Sequence, residues 1–458
     1  MPSLGSILSI ASSALRTQQE AINAVAHNLA NASTEGYSRQ RPVLGARPGV
    51  KTPTGVFGSG VEMADLQRVR DPYLDSAFRR ETISLGENQT RSGFLGQVET
   101  ILSEPSELGL ASALDGFFSA WSAFASNPTS DTARTAVRNE GQRLSDTMDR
   151  LATGLDGVRQ EAEQSLLADV RRVNTLTDEI TKINERIIGA EVGGHTAGGL
   201  RDARDRAIDE LATLIPVQVL DRENGTVGVV TSGLSIVDGR HQNILETRSV
   251  AGTYGVGLVG HPGLLPEQGG SIGGTLKVLN IDLLGIRTEL DDLAEAIVTE
   301  VNAIHGTGTN PAGLTGVDFF DPAGITASSM SLSGDVLADT SAISAGTGGP
   351  VGEYRAGAND VALALAGLRD TDSVLLGTSY GEHFRQLTSD VGFTVRSALD
   401  LVEVHQTLAG QAETRRTGYS GVSTDEELMR LIEFQTAYAA AARVVTVANE
   451  MMETLVRM

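Results

Sequence analysis

The chain has 458 residues, of which 40% are apolar and 21% are charged, and it contains no cysteine. This length exceeds one ordinary hydrophobic core, so we expect about three domains. The lack of cysteine excludes disulfides, thiolate metal sites and cysteine nucleophiles. The formal net charge is −22, with only three Lys among the 36 basic residues. No basic stripe is available for phosphate groups, which argues against binding to nucleic acid or to an anionic membrane.

The charge is spread unevenly along the chain. The first fifty residues carry four Arg against two Glu, and both ends are nearly neutral, so the negative excess lies in the middle. The negative charge keeps the surface of this middle part soluble and makes the middle parts of different copies repel each other. The N-terminus lacks the charged region and continuous apolar core of a secretory signal, and no apolar run of about 18 residues occurs. We expect a protein that is either cytoplasmic or exported by a route that cleaves nothing.

The first thirty residues carry a heptad pattern. Apolar residues recur at alternating steps of three and four, separated mostly by small and polar residues, so one narrow stripe faces a partner helix. This helix is expected to end near Asn31, and Gly36 in the following turn is suited to a positive φ. The stripe comprises Leu4, Leu8, Ala11, Leu15, Gln18, Ile22, Val25 and Leu29.

The last thirty residues repeat this pattern. The start is marked by Ser423 and Thr424, each followed three residues later by a Glu, which is typical of helix N-termini. One such stripe alone is more typical of an amphipathic helix packed within its own domain. Two matching ends favour helices that pair with each other or with neighbouring subunits. The stripe comprises Leu428, Leu431, Gln435, Tyr438, Ala442, Val445, Asn449, Met452 and Val456.

The middle of the chain is expected to be a bundle of long helices with β-rich insertions, which makes the fold class mainly α. Residues 217–271 alternate β-branched residues with turns, and residues 306–352 are rich in Gly, Ser, Thr and Pro. The predicted helical segments are 72–103, 108–191 with a break at Asn127-Pro128, 200–215, 275–305 and 358–417. The predicted domains are nested: a terminal coiled coil of 1–65 and 417–458, a helical bundle of 66–215, 275–305 and 356–416, and an outer β-rich or loop region of 216–274 and 306–355.

One motif suggests an enzyme. Residues 377–381 fit the pattern G-x-S-x-G, with Ser379 in the position of a hydrolase nucleophile. The acid and His that would complete a triad, such as Asp390 and His405, fall within one predicted helix, so a loop between helices explains the motif better.

The seven His are scattered, so no transition-metal site is predicted. A glycine-rich stretch at 269–275 lacks the ending of a phosphate loop and is predicted to be a flexible turn.

Both ends of the chain resemble a known family. Residues 28–37 read Asn-Leu-Ala-Asn-Ala-Ser-Thr-Glu-Gly-Tyr, which is similar to the N-terminal signature of flagellar rod, hook and hook-associated proteins. Three further stretches narrow the resemblance to the hook-associated protein 1 family. They are the following Ser-Arg-Gln, then Gly-Val-Ser-Thr-Asp-Glu-Glu at 421–427, and Ala-Arg-Val-Val-Thr-Val-Ala-Asn-Glu-Met-Met at 442–452.

The resemblance implies a structural, non-enzymatic subunit that joins hook to filament outside the bacterial cell. It implies export through the flagellar type III pathway without cleavage of a signal peptide. The implied partners are further copies in a ring on a helical lattice, hook protein, hook-associated protein 3, and an export chaperone at the C-terminal helix. No cofactor or metal is expected. The predicted assembly interface comprises Leu4, Leu8, Ala11, Leu15, Ile22, Val25, Asn28, Leu29, Asn31, Gly36, Tyr37, Leu428, Leu431, Tyr438, Ala442, Val445, Asn449, Met452 and Val456.

Two alternatives stay open at this point. The first is another flagellar axial protein, such as hook protein or hook-associated protein 3, which would carry different residues at 37–40. The second is a serine hydrolase that uses Ser379 as its nucleophile.

Overall fold

The computed structural model is mainly helical with β insertions, as the sequence predicts. It describes residues 4–52, 55–102, 109–192, 196–266, 269–349 and 353–457. The predicted helix end at Ser103, the predicted helix start at Leu108 and His195 lie outside these residues, as do residues 267–268 and 350–352. The helices are α1 (Leu4–Ala30), α2 (Pro72–Leu102), α3 (Leu110–Ser126), α4 (Asp131–Glu191), α5 (Gly198–Leu214), α6 (Gly270–Lys277), α7 (Leu283–His305), α8 (Gly334–Ala338), α9 (Asp360–Gly367), α10 (Tyr380–Ser420) and α11 (Thr424–Arg457).

Strands occur in two parts of the chain, and all of their pairings are antiparallel. In the first part, β1 pairs with β4 and β2 with β3; in the second, β5 to β8 form a four-stranded sheet and β9 pairs with β10. The strands are β1 (Gln40–Ala46), β2 (Val50–Thr52), β3 (Gly55–Phe57), β4 (Val61–Arg68), β5 (Gln218–Asp221), β6 (Val227–Thr231), β7 (Leu234–Asp238), β8 (His241–Gln242), β9 (Leu245–Val250) and β10 (Thr253–Leu258).

The ribbon of β1 and β4 is a feature that the sequence does not predict, since residues 1–65 read as a terminal coiled coil. Neither face of these strands is fully buried, so they carry no apolar alternation that a pattern could reveal. The ribbon is held by α1 instead. The hydroxyl of Thr17 donates a hydrogen bond to the carbonyl of Val61 at 3.2 Å.

The bundle is built around α4, which has 61 residues. Its predicted apolar stripe from Leu166 to Ile187 is confirmed, because all seven of its residues are buried. Ser130 caps the helix by accepting a hydrogen bond from the N–H of Ala133 at 3.2 Å. The predicted break at Asn127-Pro128 is confirmed as well, since α3 ends just before it.

The sheet of β5 to β8 is fixed to α4 by one buried amide. Asn184 donates to the carbonyls of Val227 at 2.9 Å and Gly239 at 2.7 Å. Its side-chain oxygen accepts from the N–H of Val227 at 3.2 Å. A buried amide whose donors and acceptor are all bonded leaves little freedom to slide, so the sheet keeps one position along the helix.

The glycine-rich stretch at 269–275 is largely helix α6, and the prediction of a flexible turn is wrong. Gly270 has a φ of +66°, and a Cβ there would lie 2.5 Å from the carbonyl of Leu214. A Cβ on Gly274 would collide with the backbone oxygen of Glu87. Glycine is required at both places because α6 lies directly against neighbouring backbone.

Residues 306–349 pack on the helical core through two aromatic rings. Phe319 and Phe320 are fully buried; the ring of Phe319 lies 5.4 Å from Trp121, and that of Phe320 lies 5.7 Å from Phe117. Among the described residues of this segment, only α8, a short 3₁₀ turn and isolated bridges interrupt the loops. Of the two predicted forms, β-rich or loop-like, the loop form is therefore present. The division of the chain into three domains stays a prediction.

His305, at the end of α7, ties this loop segment to the helix. Its ring is fully buried, with Nδ1 donating to the carbonyl of Val317 at 2.7 Å and Nε2 accepting from the N–H of Ser344 at 3.0 Å. Both bonds suit the neutral ring. Burial lowers the pKa of His305 to about 4, and the bond to Val317 only partly opposes this effect.

We predict that protonation of His305 destabilises the fold. The unfolded chain takes up the proton near pH 6.5 and the folded chain only near pH 4. The contribution of neutral His305 to the free energy of unfolding is therefore complete above pH 6.5. It falls as the pH is lowered towards 4, by up to about 3 kcal/mol. His305→Leu should be less stable at pH 7 by about 1–3 kcal/mol, because two buried backbone groups lose their partner. Its stability should decline less between pH 6.5 and 4.

Denaturant unfolding followed by the fluorescence of Trp121 measures both effects. This residue is the single Trp of the chain, and its ring lies 6.0 Å from His305. His241→Leu is the matched control, because His241 is exposed; this variant should keep the wild-type dependence on pH. Equal pH dependence in wild type and His305→Leu would contradict the role of this ring.

Candidate assembly interface

The two predicted terminal stripes belong to one helix pair, because α1 and α11 pack along each other. Within the stripe of α1, Ala11 and Val25 are buried, and the other apolar members are half-buried. The most deeply covered face of α1 overlaps the stripe at Ala11 and Val25, and its other members are small or polar. It comprises Ala11, Ser13, Thr17, Ala21, Ala24, Val25 and Asn28.

In α11 the predicted stripe is turned largely to solvent. Leu431, Ala442 and Val445 are half-buried, whereas the exposed members are Leu428, Gln435, Tyr438, Asn449, Met452 and Val456. The most covered side is rotated slightly from the prediction and comprises Glu427, Leu431, Phe434, Ala437, Ala441, Val445 and Ala448. The assignment of the predicted residues to contacts with other subunits stays a prediction.

A further apolar row runs along α11 on another side. Its members are 45 to 65% exposed and follow a helical spacing, so they share one face. A helix that is apolar around most of its circumference is normally buried on all sides. No described part of the chain covers this outer row, which comprises Met429, Ile432, Val444, Val447, Met451 and Leu455.

Asn28 holds the two terminal helices in register. Its fully buried amide donates to the carboxylate of Glu427 at 2.8 Å and to the carbonyl of Gln40 at 2.8 Å. Its oxygen accepts from the hydroxyl of Tyr37 at 2.8 Å and from the N–H of Gln40 at 2.9 Å. With both donors and both lone pairs used, this side chain fixes α11, the turn and the start of β1 relative to α1.

The turn after α1 is shaped by two of the predicted residues. Asn31 follows the end of the helix, and its side chain donates to the carbonyl of His27 at 2.9 Å. Gly36 has a φ of +72°, which confirms the predicted positive φ. A Cβ at this position would lie 2.6 Å from the side chain of Arg206, so glycine is needed for space as well as for conformation.

Tyr37 closes the turn over the end of α1. Besides donating to Asn28, its hydroxyl is hydrogen-bonded to Nδ1 of His27 at 2.9 Å. Burial, together with the charges of Asp202 and Glu427, raises the pKa of Tyr37 to about 12. The phenol therefore stays protonated and keeps its role as a donor at any ordinary pH.

The start of α11 is bound to the segment after α1 at several points. The hydroxyl of Ser423 accepts from the N–H of Glu426 at 3.5 Å, which agrees with the predicted cap. Arg39 pairs with the carboxylate of Glu426 at 2.8 Å, and its N–H donates to the carbonyl of Ser420 at 2.8 Å. The sequence predicts the helix start but not that Glu427 is fully buried.

A buried ionic cluster joins the segment after α1 to the bundle, where the N–H of Ser38 also donates to Asp202 at 3.3 Å. Its side chains come from the end of β4, from the link between β4 and α2, and from α2, α5 and α10, and none is more than 16% exposed. Arg68 contacts Asp205 at 2.6 Å, and Arg416 contacts Asp209 at 2.5 Å. The members are Arg68, Arg70, Arg79, Arg204, Arg416, Asp75, Asp202, Asp205 and Asp209.

Opposite charges compensate for burial within this cluster. Burial alone would raise the pKa of Asp205, yet the guanidinium groups around it, chiefly those of Arg70 and Arg68, hold its pKa below the ordinary value. Removing one member would leave a buried charge unpaired, which costs about 3–5 kcal/mol. Sequence reasoning missed the cluster. The available signal was the spacing of Asp202, Asp205 and Asp209, which puts three carboxylates on one face of α5.

The hydrogen bonds of Ser379, His383 and His405 do not form a catalytic triad. Ser379 is the N-cap of α10, where its hydroxyl accepts a backbone N–H at 3.3 Å. His383 is hydrogen-bonded to the carbonyl of Glu289 at 3.1 Å, and His405 to the carboxylate of Glu81 at 3.0 Å. The motif is therefore explained by helix capping.

Two further features concern ligands and membranes. Across the described ranges, no three His, Asp or Glu side chains are grouped so that they could hold a metal ion. None of the helices in the same part of the chain combines the length and apolar content needed to cross a bilayer.

Three family models match the chain. The model described as Flagellar hook-associated protein FlgK helical domain matches residues 95–320, which contain α3 to α7. Flagella basal body rod protein matches residues 8–37, and Flagellar basal body rod FlgEFG protein C-terminal matches residues 417–458. The last two matches fall on the two helices that Asn28 joins.

Curated relatives and a solved structure agree with these matches. Flagellar hook-associated protein 1 of Bacillus subtilis (strain 168) is 29% identical over 98% of this chain and 97% of its own. The protein of that name from Salmonella typhimurium is 26% identical over 69% of this chain and 59% of its own. The flagellar hook junction protein FlgK from Burkholderia pseudomallei has a similar fold, with a TM-score of 0.66 and 15% identity, over 77% of this chain and 100% of its own.

We predict that Asn28 couples α1 to α11. Asn28→Ala leaves the buried carboxylate of Glu427 without this donor and should destabilise the helix pair by about 1–3 kcal/mol. Hydrogen exchange in the purified chain should show faster exchange of the first amides of α11. Gln19→Ala, at an exposed position of α1, should leave this exchange unchanged.

A double-mutant cycle with Glu427→Ala separates this bond from the other bonds of Asn28. We expect the two substitutions together to cost less than the sum of the single changes. Strict additivity would show that the contact does not set the register.

Proposed function

The chain belongs to the flagellar hook-associated protein 1 family, and from this premise we propose that it is a structural subunit joining hook to filament in the bacterial flagellum. The observation that carries the proposal is the pairing of the two chain ends, α1 with α11, in the segments that match the axial-protein models. The subunit acts by packing and is not an enzyme.

The uncovered surface of α11 supports assembly with other copies. In one chain α1 covers a single side of this helix, while Leu428, Tyr438 and the outer row stay exposed. Burial of apolar surface contributes about 25 cal/mol per Å², so neighbours that cover these rows gain stability that a single chain lacks. A contact between two different surfaces repeats from copy to copy and builds a helical lattice.

The predicted interface residues of α1 act in the same way. The apolar stripe of α1 is largely half-buried in one chain, so a helix of a second copy can cover the side-chain surface that α11 leaves exposed. The half-buried residues are Leu4, Leu8, Leu15, Ile22 and Leu29. Asn28, Asn31, Gly36 and Tyr37 act indirectly, because they set the angle at which α1 leaves the bundle. In this arrangement the near-neutral helices form the axis and the acidic bundle faces outward.

The proposed location is outside the cell, at the hook-filament junction, after type III export without cleavage of a signal peptide. The neighbours along the axis are hook protein on one side and hook-associated protein 3 on the other. Before export, a flagellar chaperone covers α11, whose exposed apolar rows would otherwise favour premature association.

The experiment that tests the junction role is complementation of a strain that lacks this chain. We expect filamentless hooks and flagellin lost to the medium in the deletion strain. The full chain should restore filaments and swimming, and a chain without residues 1–30 should restore neither, because α11 then has no partner. Electron microscopy of the hooks and analysis of the culture supernatant measure the outcome.

Normal filaments in the deletion strain would rule out the junction role. Hooks that are themselves missing or of altered length would point instead to the alternative, another axial protein. The variant without residues 1–30 must be detected in cell extracts for its failure to count.

The chaperone proposal has its own test. A chain that ends before Leu428 should lose co-purification of the chaperone from cell extracts, because it lacks nearly all of α11. The chain without residues 1–30 keeps α11 and is the matched control; it should retain the chaperone. Retention by the first chain would place the chaperone elsewhere.

A further inference from the structure

The ribbon of β2 and β3 presents an apolar and basic surface in an otherwise acidic chain. Val50, Val56 and Phe57 are 60%, 68% and 43% exposed, and Lys51 beside them is exposed as well. Residues 40–57 carry three basic side chains and no acidic one, whereas the whole chain has a net charge of −22. We call Val50, Lys51, Val56 and Phe57 the ribbon tip. Arg47 is paired with Glu62 of β4 at 3.3 Å, so Lys51 is the charge of the tip that remains for a partner.

A second uncovered apolar surface lies on α10. Leu401, Val404 and Leu408 are 40%, 51% and 39% exposed. Their spacing places them on one helical face, which we call the α10 row. Over residues 390–408 the helix carries three acidic side chains and one Arg. Arg396 is paired with Asp400 at 3.1 Å, and the charge that remains is negative, opposite to that of Lys51.

The geometry of one copy keeps these two surfaces apart. The ribbon of β1 and β4, which leads into β2 and β3, runs along α1, where the N–H of Val61 donates to the hydroxyl of Ser13 at 3.3 Å. The ribbon tip therefore extends towards the start of α1. The α10 row stops twelve residues before Ser420, the last residue of its helix, which is roughly 18 Å along the axis. Arg416 of the buried ionic cluster lies between the row and the terminal helices.

We propose that the ribbon tip of one copy docks on the α10 row of an adjacent copy. This inference rests on the proposed function, which supplies copies displaced along a common axis. The apolar side chains of the tip are then buried against the row, and the opposite charges favour this partner over contacts between two acidic bundles. Because the two surfaces differ, the contact is heterologous and can repeat along a helical lattice.

Cysteine cross-linking tests the contact cleanly, since the chain has no cysteine of its own. Chains with Val56→Cys and Val404→Cys, carrying tags of different size, are co-expressed in the deletion strain. Purified flagella are treated with a short bismaleimide. We expect a cross-linked heterodimer at a yield at least tenfold above that of a control pair, Val56→Cys with Leu167→Cys. Leu167 is 42% exposed and lies on α4.

Equal yields in the two pairs, or no heterodimer in flagella that carry filaments, would overturn the docking proposal. The filaments themselves report the junction role, so failure of that role and failure of the docking contact are distinguishable. Adding Lys51→Glu to the Val56→Cys chain reverses the charge of the tip and should lower the heterodimer yield at least twofold. An unchanged yield would show that the charge of Lys51 does not contribute to docking on the α10 row.

Discussion

The structure depends on the buried ionic cluster around Asp205 and Asp209. Four parts of the chain meet there: the end of β4, α2, α5 and α10. An apolar contact between helices tolerates small shifts, but a buried carboxylate must keep its guanidinium partners. The cluster therefore holds the end of β4 and the C-terminal part of α10, the segments that connect to the terminal helices, against α2 and α5. Arg416 adds a second constraint, because its guanidinium also lies 4.1 Å from the ring centre of Phe78.

A smaller buried polar contact fixes the two terminal helices relative to each other. Asn28 and Glu427 are separated by 399 positions and are hydrogen-bonded in a fully buried place. Heptad packing alone leaves the relative height of two helices weakly specified, and a buried polar pair removes that freedom at some cost in stability. With α1 and α11 held in one register, the apolar rows of α11 present a defined surface to further copies.

Elements with strong local periodicity were predictable. The extent of helix α1, the apolar stripe of α4, the break at Asn127-Pro128 and the positive φ of Gly36 all follow from residues within one or two turns of each other. The β1 and β4 ribbon was not predictable, because its strands bury neither face. Helix α6 was missed for another reason: its glycines suggest freedom, and only the neighbouring backbone shows that they serve close packing.

By itself, the sequence determined the helical class, the heptad pattern of the two ends and, through the motifs at both ends, the family. These are properties of composition and of residues close together along the chain. The tertiary structure alone decided which side of α11 faces α1, which carboxylates are buried and which apolar rows stay exposed. Those features depend on contacts such as that of Arg416 with Asp209, 207 positions apart, and pairing over such distances leaves no periodic signal in the chain.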